Sequence, residues 1–269
     1  MKKILLLWYM QDDNFGDVLI SRTIKDYFKP YDCVMEDHEV GDYWRNIVRH
    51  ANECDFLLFA GGGIIERGVP NVIINWDKVA EELRIPYGVI GLGMGEFNHD
   101  GYSEKFRTWV DNSEFFFVRD QYTQEKMNDY SHSKKVIFSA DCVFANKNLK
   151  ADSNKAQGKI AINVRDLPYE DLTGALDWAT VNTIIKKLNI ETLIMDSSDE
   201  MNNSCIFDAK ENSRYLKMDK NAKTEYIIHN IGECRAIVAM RFHVVLVAAR
   251  MEIPSVPIEY CPKVKYLSE

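Results

Sequence analysis

Short apolar runs alternate with amphipathic stretches along the whole chain, and this rhythm most constrains the fold. Each apolar run has the length of a buried strand, and the stretches between the runs have helical periodicity. Strand, helix and strand in regular order predict parallel βαβ units, whose strands are apolar throughout because helices cover both faces of the sheet. In the first half, the predicted strands are residues 4–8, 33–35, 56–60, 87–90, 115–118 and 136–138, and the predicted helices are residues 18–28, 43–52, 73–83, 104–112 and 122–129.

A polar segment separates the two halves of the chain. Residues 146–158 lack any periodicity, so we interpret them as a linker. Beyond them the alternation restarts, with predicted strands at residues 160–164, 192–195, 236–239 and 255–258 and predicted helices at residues 177–188, 224–231 and 244–249. We therefore expect an α/β fold with two Rossmann-like, doubly wound domains, residues 1–145 and 159–269, that face each other across a cleft.

The charge balance restricts the classes of partner. The chain has 33 basic and 41 acidic residues, for a net charge of -8, whereas a nucleic-acid binder usually carries a basic surface. We therefore expect no nucleic-acid partner. An anionic substrate would be repelled by the overall field and would need a local cluster of arginines.

Membrane insertion and secretion are not expected either. No apolar run is long enough to span a bilayer. The apolar run near the N-terminus is too short for a signal peptide, and Asp12 and Asp13 follow it at once. These features predict a cytoplasmic protein, and they predict no particular oligomeric state.

The first candidate segment contains Asn14, Gly16 and Asp17, which follow the first predicted strand and open the first helix. Ligands of doubly wound sheets bind beyond the carboxyl ends of the strands, so residues at such positions are candidates for function. Gly16 allows a close approach of the backbone, and Asp17 suits the first turn of a helix. A simple helix cap explains the segment equally well.

Two glycine-rich segments also follow predicted strands. Gly61, Gly62 and Gly63 come after the strand ending at residue 60, where they can form either an anion nest or a tight turn. No Walker A sequence follows them. Residues 91–95 have the spacing GxGxG, which does not match the dinucleotide fingerprint GxGxxG, so we expect no NAD.

Arginines directly follow two of the predicted strands. Arg119 follows the strand 115–118, where it can reach an anion or pair with Asp120 or Asp141. Arg165 follows the strand 160–164 and is either a ligand of the cleft or part of a surface ion pair.

The densest signal is Arg241-Phe242-His243, directly after the strand 236–239 and at the start of the next helix. The planar fork of an arginine suits phosphate or carboxylate, and an imidazole gains and loses a proton near neutral pH. The N–H groups at a helix start add affinity for anions. Lys263, after the last strand, could neutralise a second anion.

A metal site is not predicted. The other histidines have no HxH or HxxxH spacing, and the six cysteines form no CxxC pair. A serine-hydrolase elbow, GxSxG, is also absent from the sequence.

In their order along the chain, these segments resemble the polysaccharide pyruvyl transferase family from about residue 4 to residue 264. The N-x-G-D element at residues 14–17 and the R-x-H element at residues 241–243 are the most specific parts of the likeness. The resemblance implies a glycosyltransferase B-like fold with the active site between two Rossmann-like halves. It further implies transfer of a pyruvyl group from phosphoenolpyruvate to a sugar or lipid-linked glycan of a cell-surface polysaccharide, with formation of a pyruvate ketal, release of phosphate and no cofactor.

The resemblance also implies roles for the candidate residues. Arg165, Arg241 and His243 would hold the donor, with His243 as the acid/base. We add Lys263 to the donor side. We place Asn14, Gly16, Asp17, Gly61, Gly62, Gly63 and Arg119 on the cleft or its acceptor side, and the N-x-G-D loop would shape the cleft.

Two other functions remain open from the residues. One is a glycosyltransferase in which the glycine segments and Arg241 surround the diphosphate of a nucleotide-sugar. The other is a non-catalytic subunit of a glycan-assembly complex.

Overall fold

The protein divides into two compact units in a computed structural model. One unit consists of Met1–Gln11 and Ile20–Ala145, and the other of Asp12–Leu19 and Asn146–Glu269. The segment Asp12–Leu19 thus groups with the second half of the chain, which the sequence did not indicate. The structure describes residues 2–8, 14–37, 43–65, 69–95, 100–152, 158–164, 178–190, 192–193, 218–259, 262–265 and 267.

The first unit is built on a parallel sheet of six described strands in the order β2-β1-β3-β4-β5-β6. The strands are β1 (Lys3–Trp8), β2 (Asp32–Asp37), β3 (Phe56–Ile65), β4 (Tyr87–Met94), β5 (Phe116–Val118) and β6 (Val136–Phe138). The described helices up to residue 145 are α1 (Phe15–Tyr27), α2 (Tyr43–Ala51), α3 (Asn71–Ile74), α4 (Trp76–Glu82), α5 (Ser103–Asp111) and α6 (Gln121–Tyr130).

An aromatic cluster fills the core between this sheet and its helices. Phe59 of β3 lies edge-on to Trp109 of α5, with ring centroids 5.2 Å apart, and Trp109 lies edge-on to Phe116 of β5 at 4.9 Å. Trp76 of α4 packs against Tyr87 of β4 at 4.9 Å. Such pairs add to the free energy gained from burying large apolar rings, so they fix the helices on the sheet.

Several elements of the first unit differ from the sequence prediction. Strand β4, expected at residues 87–90, continues through Gly91 and Gly93 to Met94, so these glycines lie inside the strand and not after it. Strand β3 does not end at residue 60 as expected; it continues through the glycines to Ile65. The backbone φ angles of 61° at Gly61 and 84° at Gly62 are left-handed, and the register with β4 shifts between Gly62 and Ile65. Glycine adopts these angles without strain, so the sequence marks a bulge inside a strand and not a loop after it.

The expectation of one helix over residues 73–83 is also wrong. The structure has two helices there, α3 and α4, separated at Asn75. The side-chain amide of Asn75 donates to the carbonyl oxygen of Asn71 at 2.9 Å. Local bonding of an Asn side chain to the backbone competes with a continuous helix.

The second unit is built on a parallel sheet of four described strands in the order β10-β9-β7-β8. The strands are β7 (Lys159–Asn163), β8 (Thr192–Leu193), β9 (Cys234–Ala239) and β10 (Ser255–Pro257). The described helices are α7 (Trp178–Leu188), α8 (Lys220–Gly232), α9 (Phe242–Arg250) and α10 (Pro262–Lys265). The first turn of α1 belongs to this unit as well.

Both sheets contain a point where the direction of winding reverses. In the first sheet it lies between β1 and β3, and in the second between β7 and β9. Ligands of open α/β sheets bind beyond the carboxyl ends of the strands at such a point. The expected Rossmann-like α/β class is confirmed.

Across the described segments, no helix has the length and apolar character needed to cross a bilayer.

Candidate functional site in the second unit

The N-x-G-D segment forms the capped first turn of α1. The side-chain oxygen Oδ1 of Asn14 accepts hydrogen bonds from the backbone N–H groups of Gly16 at 2.9 Å and Asp17 at 3.4 Å. The carbonyl oxygen of Asn14 accepts from the N–H of Val18 at 3.1 Å. These are the bonds of a helix N-cap, and they hold the first turn in one conformation.

Gly16 lies directly against the imidazole of His243. A Cβ atom added to Gly16 would be 1.8 Å from Nδ1 of His243 and 2.3 Å from its Cγ. No real side chain tolerates such distances, so only glycine permits this approach. The N-x-G-D and R-x-H elements, far apart in sequence, therefore meet at one point of the second unit.

The R-x-H segment links β9 to α9 at the point where the sheet reverses its winding. Arg241 is the N-cap residue of α9 and has extended backbone angles. Its N–H donates to the side-chain oxygen of Asn163 at 3.0 Å, and Asn163 is the last residue of β7. Asn163 was not among the predicted site residues. The signal that could have found it is an amide directly after the apolar run Ile160–Ile162 of β7.

Lys263 is held next to the same helix. The following residue, Val264, is fully buried and packs in a cluster with Phe242 and Leu246 of α9. The Lys263 side chain is half-buried. The structure thus brings the turn with Asn14, Gly16 and Asp17 against His243 in the first turn of α9, and Val264 places Lys263 beside the same helix. Arg165 lies outside the described residues.

Arg119 belongs to a buried ion-pair network of the first unit. Its side chain is 1% exposed, with NH1 3.4 Å from Asp141 and Nε 3.7 Å from Asp120. Asp120 also caps α6, since its Oδ1 accepts from the N–H of Thr123 at 2.7 Å. This environment gives Arg119 a packing role, and its contact with an acceptor stays a prediction.

The glycines of β3 and β4 make room for that network. A Cβ atom on Gly93 would lie 2.3 Å from Nε of Arg119, and one on Gly91 would lie 2.5 Å from Sγ of Cys142. Gly61 also faces Cys142, at 3.2 Å from an added Cβ. Burial, with the nearby Asp141 carboxylate, raises the pKa of the Cys142 thiol far above its usual value, which makes this thiol a poor nucleophile. An anion nest formed by Gly61, Gly62 and Gly63 stays a prediction.

The gathered side chains suit the binding of an anion and the transfer of a proton. Arg241 occupies the N-cap of α9, where backbone N–H groups favour negative charge, and a guanidinium suits charge-assisted hydrogen bonds to an anion. An imidazole stands in the first turn of the same helix. Among the residues that the structure describes, no group of three or more His, Cys, Asp or Glu side chains is arranged to hold a metal ion.

Fold and candidate site together define a Rossmann-like α/β protein with an arginine and a histidine at the strand-to-helix turn of its second sheet. The model of the polysaccharide pyruvyl transferase family matches residues 14–262, from the N-cap of α1 to the first residue of α10. The match covers nearly the whole chain, so the chain belongs to the polysaccharide pyruvyl transferase family.

Solved structures show the same fold at low sequence identity. A protein of uncharacterised function from Klebsiella pneumoniae is 17% identical with a TM-score of 0.54, over 94% of this chain and 82% of that one. The UDP-GlcNAc 2-epimerase of Neisseria meningitidis is 12% identical with a TM-score of 0.54, over 99% and 85%. A putative UDP-N-acetylglucosamine 2-epimerase of Listeria monocytogenes is 9% identical with a TM-score of 0.55, over 97% and 80%. No curated protein matches the chain.

The contact between Gly16 and His243 predicts a specific energetic coupling. Gly16→Ala should lower the free energy of unfolding by about 1–3 kcal/mol, because the new methyl group overlaps the imidazole. In a His243→Ala background the same change should cost nothing, since the space is vacant. Denaturant unfolding of the two single variants and the double variant gives the coupling energy.

Gly101→Ala is the control for that cycle, because a Cβ atom on Gly101 has no neighbour within 4 Å. It should cost the same in both backgrounds. If the effects of Gly16→Ala and His243→Ala simply add, the two residues are not in contact.

The buried ion pairs predict a large stability loss in Arg119→Met. This variant keeps most of the side-chain volume but removes the guanidinium that pairs with the buried carboxylates of Asp120 and Asp141. Loss of one partner of a buried ion pair costs about 3–5 kcal/mol. Arg107→Met is the control, since Arg107 pairs with Glu104 on an exposed helix face and should cost at most about 1 kcal/mol. Equal losses in urea unfolding would contradict a packing role for Arg119.

Proposed function

We propose that this protein transfers a pyruvyl group from phosphoenolpyruvate to a sugar of a cell-surface polysaccharide or its precursor. The product is a pyruvate ketal, and phosphate is released. The observation that carries the proposal is the contact of Gly16 with His243, which joins the two most specific elements of the family in one site. The proposal includes a cytoplasmic location and an acceptor that is a free or lipid-linked glycan precursor.

The reaction requires one carbon protonation and two oxygen deprotonations. A proton adds to C3 of the enol, which becomes a methyl group, and C2 becomes electrophilic. One acceptor hydroxyl attacks C2, the C2–O bond to phosphate breaks, and a second hydroxyl closes the ketal. The two acceptor hydroxyls together lose two protons. One of them is equivalent to the proton that C3 gains, and the other leaves with phosphate.

His243 is the proposed acid/base for at least one of these proton transfers. Its Nδ1 edge faces the backbone of Gly16, and its Nε2 atom is buried within the protein. Phe242 packs edge-on against the imidazole, with centroids 5.2 Å apart. A ring held on two sides keeps the orientation that proton transfer to a bound substrate needs.

Arg241 is the proposed anchor for the donor, with Arg165 and Lys263 as further cations. Its backbone caps α9, so its side chain starts beside the N–H groups of the first helical turn. The donor carries a phosphate and a carboxylate, and both fit charge-assisted hydrogen bonds from guanidinium groups. These local cations would overcome the repulsion expected from a net charge of -8.

Arg241→Ala should weaken the binding of phosphoenolpyruvate in a calorimetric titration. A charged hydrogen-bonding contact contributes about 1.5–3 kcal/mol, which raises the Kd by about ten- to a hundredfold. Arg235→Ala removes the same charge from the exposed, opposite end of β9 and should bind as the wild type does. If the wild type binds UDP- or GDP-sugars and not phosphoenolpyruvate, the protein is a glycosyltransferase and our proposal is wrong.

His243→Ala should slow phosphate release by about 10²–10⁴-fold, because a general acid/base contributes this factor. The assay follows phosphate formed from phosphoenolpyruvate with a panel of glycosides whose hydroxyl pairs can close a ketal ring. His229→Ala is the control, since that side chain is 69% exposed on α8. Wild-type rates in a folded His243→Ala protein would remove His243 from the chemistry. Donor binding without phosphate release with any acceptor would instead indicate a non-catalytic subunit.

A further inference from the structure

Asn163 is a polar residue at a buried position of a central strand, where apolar residues are usual. It ends the central strand β7, directly after Ala161 and Ile162, and its side chain is fully buried. An unsatisfied amide at such a position would cost about 1–3 kcal/mol. An apolar residue of similar shape would avoid that cost, so packing alone does not explain an amide at this position.

Two consecutive N–H groups of the β9–α9 turn donate to Asn163. Its carbonyl oxygen accepts from the N–H of Met240 at 2.9 Å, and its side-chain Oδ1 accepts from the N–H of Arg241 at 3.0 Å. The first bond extends the ladder between β7 and β9 past the pair of Asn163 and Ala239. The second holds the chain where it leaves the sheet for the helix.

The backbone of Arg241 is therefore fixed on both sides. Its N–H is bound to Asn163, while its carbonyl oxygen accepts from the N–H groups of Val244 at 3.1 Å and Val245 at 3.2 Å. The position of the Arg241 backbone is thus set by β7 on one side and by α9 on the other. The orientation of α9, which also carries His243, depends on the same turn.

We propose that Asn163 is a positioning residue for the R-x-H element, which it presents to the donor through the Arg241 N–H. This inference rests on the proposed function, in which Arg241 binds the anionic donor. A guanidinium on a fixed backbone loses less conformational freedom when it binds, so removal of the fixing bond should weaken donor binding.

The test compares two variants of nearly the same shape. Asn163→Leu removes the accepting oxygen, whereas Asn163→Asp keeps an oxygen in the same place. Cys234→Ala is the control for stability. It removes a buried thiol at the opposite end of β9, together with the hydrogen bond from that thiol to the carbonyl oxygen of Asn230. If Asn163→Leu does not fold, Asn163→Ala removes the same oxygen without adding apolar branches.

Two measurements decide the outcome: amide hydrogen exchange at Arg241 and calorimetric titration with phosphoenolpyruvate. In Asn163→Leu we expect faster exchange and a Kd raised by about tenfold, as the loss of one hydrogen bond near a charged contact implies. Asn163→Asp should keep the amide protected, and Cys234→Ala should change neither exchange nor affinity.

The inference fails if a folded Asn163→Leu or Asn163→Ala protein binds phosphoenolpyruvate as tightly as the wild type, whether or not the Arg241 amide loses protection. It also fails if Asn163→Asp exchanges as fast as Asn163→Leu. A wild-type protein without affinity for phosphoenolpyruvate overturns the proposed function and this inference with it. Wild-type binding with unchanged Asn163→Leu affinity overturns the inference alone.

Discussion

The candidate site depends on one steric fact, which is that Gly16 has no side chain. The added Cβ that would lie 1.8 Å from Nδ1 of His243 shows how completely the imidazole occupies that space. The Asn14 cap holds the turn that brings the glycine there. A helix cap and a close approach of the backbone were competing explanations for the N-x-G-D segment. The structure shows both: Asn14 caps the turn, and the absence of a side chain at Gly16 leaves space for the imidazole of His243.

The start of α9 is held by three parts of the second unit that are distant in sequence. Asn163 holds the Arg241 N–H, Gly16 faces His243, and Val264 packs beside Phe242. Each contact removes freedom from the backbone before any ligand arrives. In a protein with a net charge of -8, such preorganisation matters for the anionic donor that we propose, because only cations fixed close to its binding position would attract it.

Similar sequence features serve a different purpose in the first unit. Arg119, like Arg241, follows a parallel strand, yet its side chain is 1% exposed between two carboxylates. Gly93 faces its guanidinium as Gly16 faces the imidazole of His243. An arginine or a glycine at a strand end can thus belong to a buried network. The burial of Arg119 and its pairing with Asp141 depend on the tertiary structure, so the local sequence does not show this role.

The parallel α/β class and the R-x-H and N-x-G-D candidates could be predicted from the sequence, because apolar periodicity and strand-end chemistry are local properties. The ends of β1, β6, α7 and β9 were predicted to within two residues. The grouping of Asn14–Asp17 with the second unit, the continuation of β3 through Gly61 and Gly62, and the bond from the Arg241 amide to Asn163 became visible only in the tertiary structure. These features come from contacts between segments far apart in the chain, which leave no periodic trace in either segment alone.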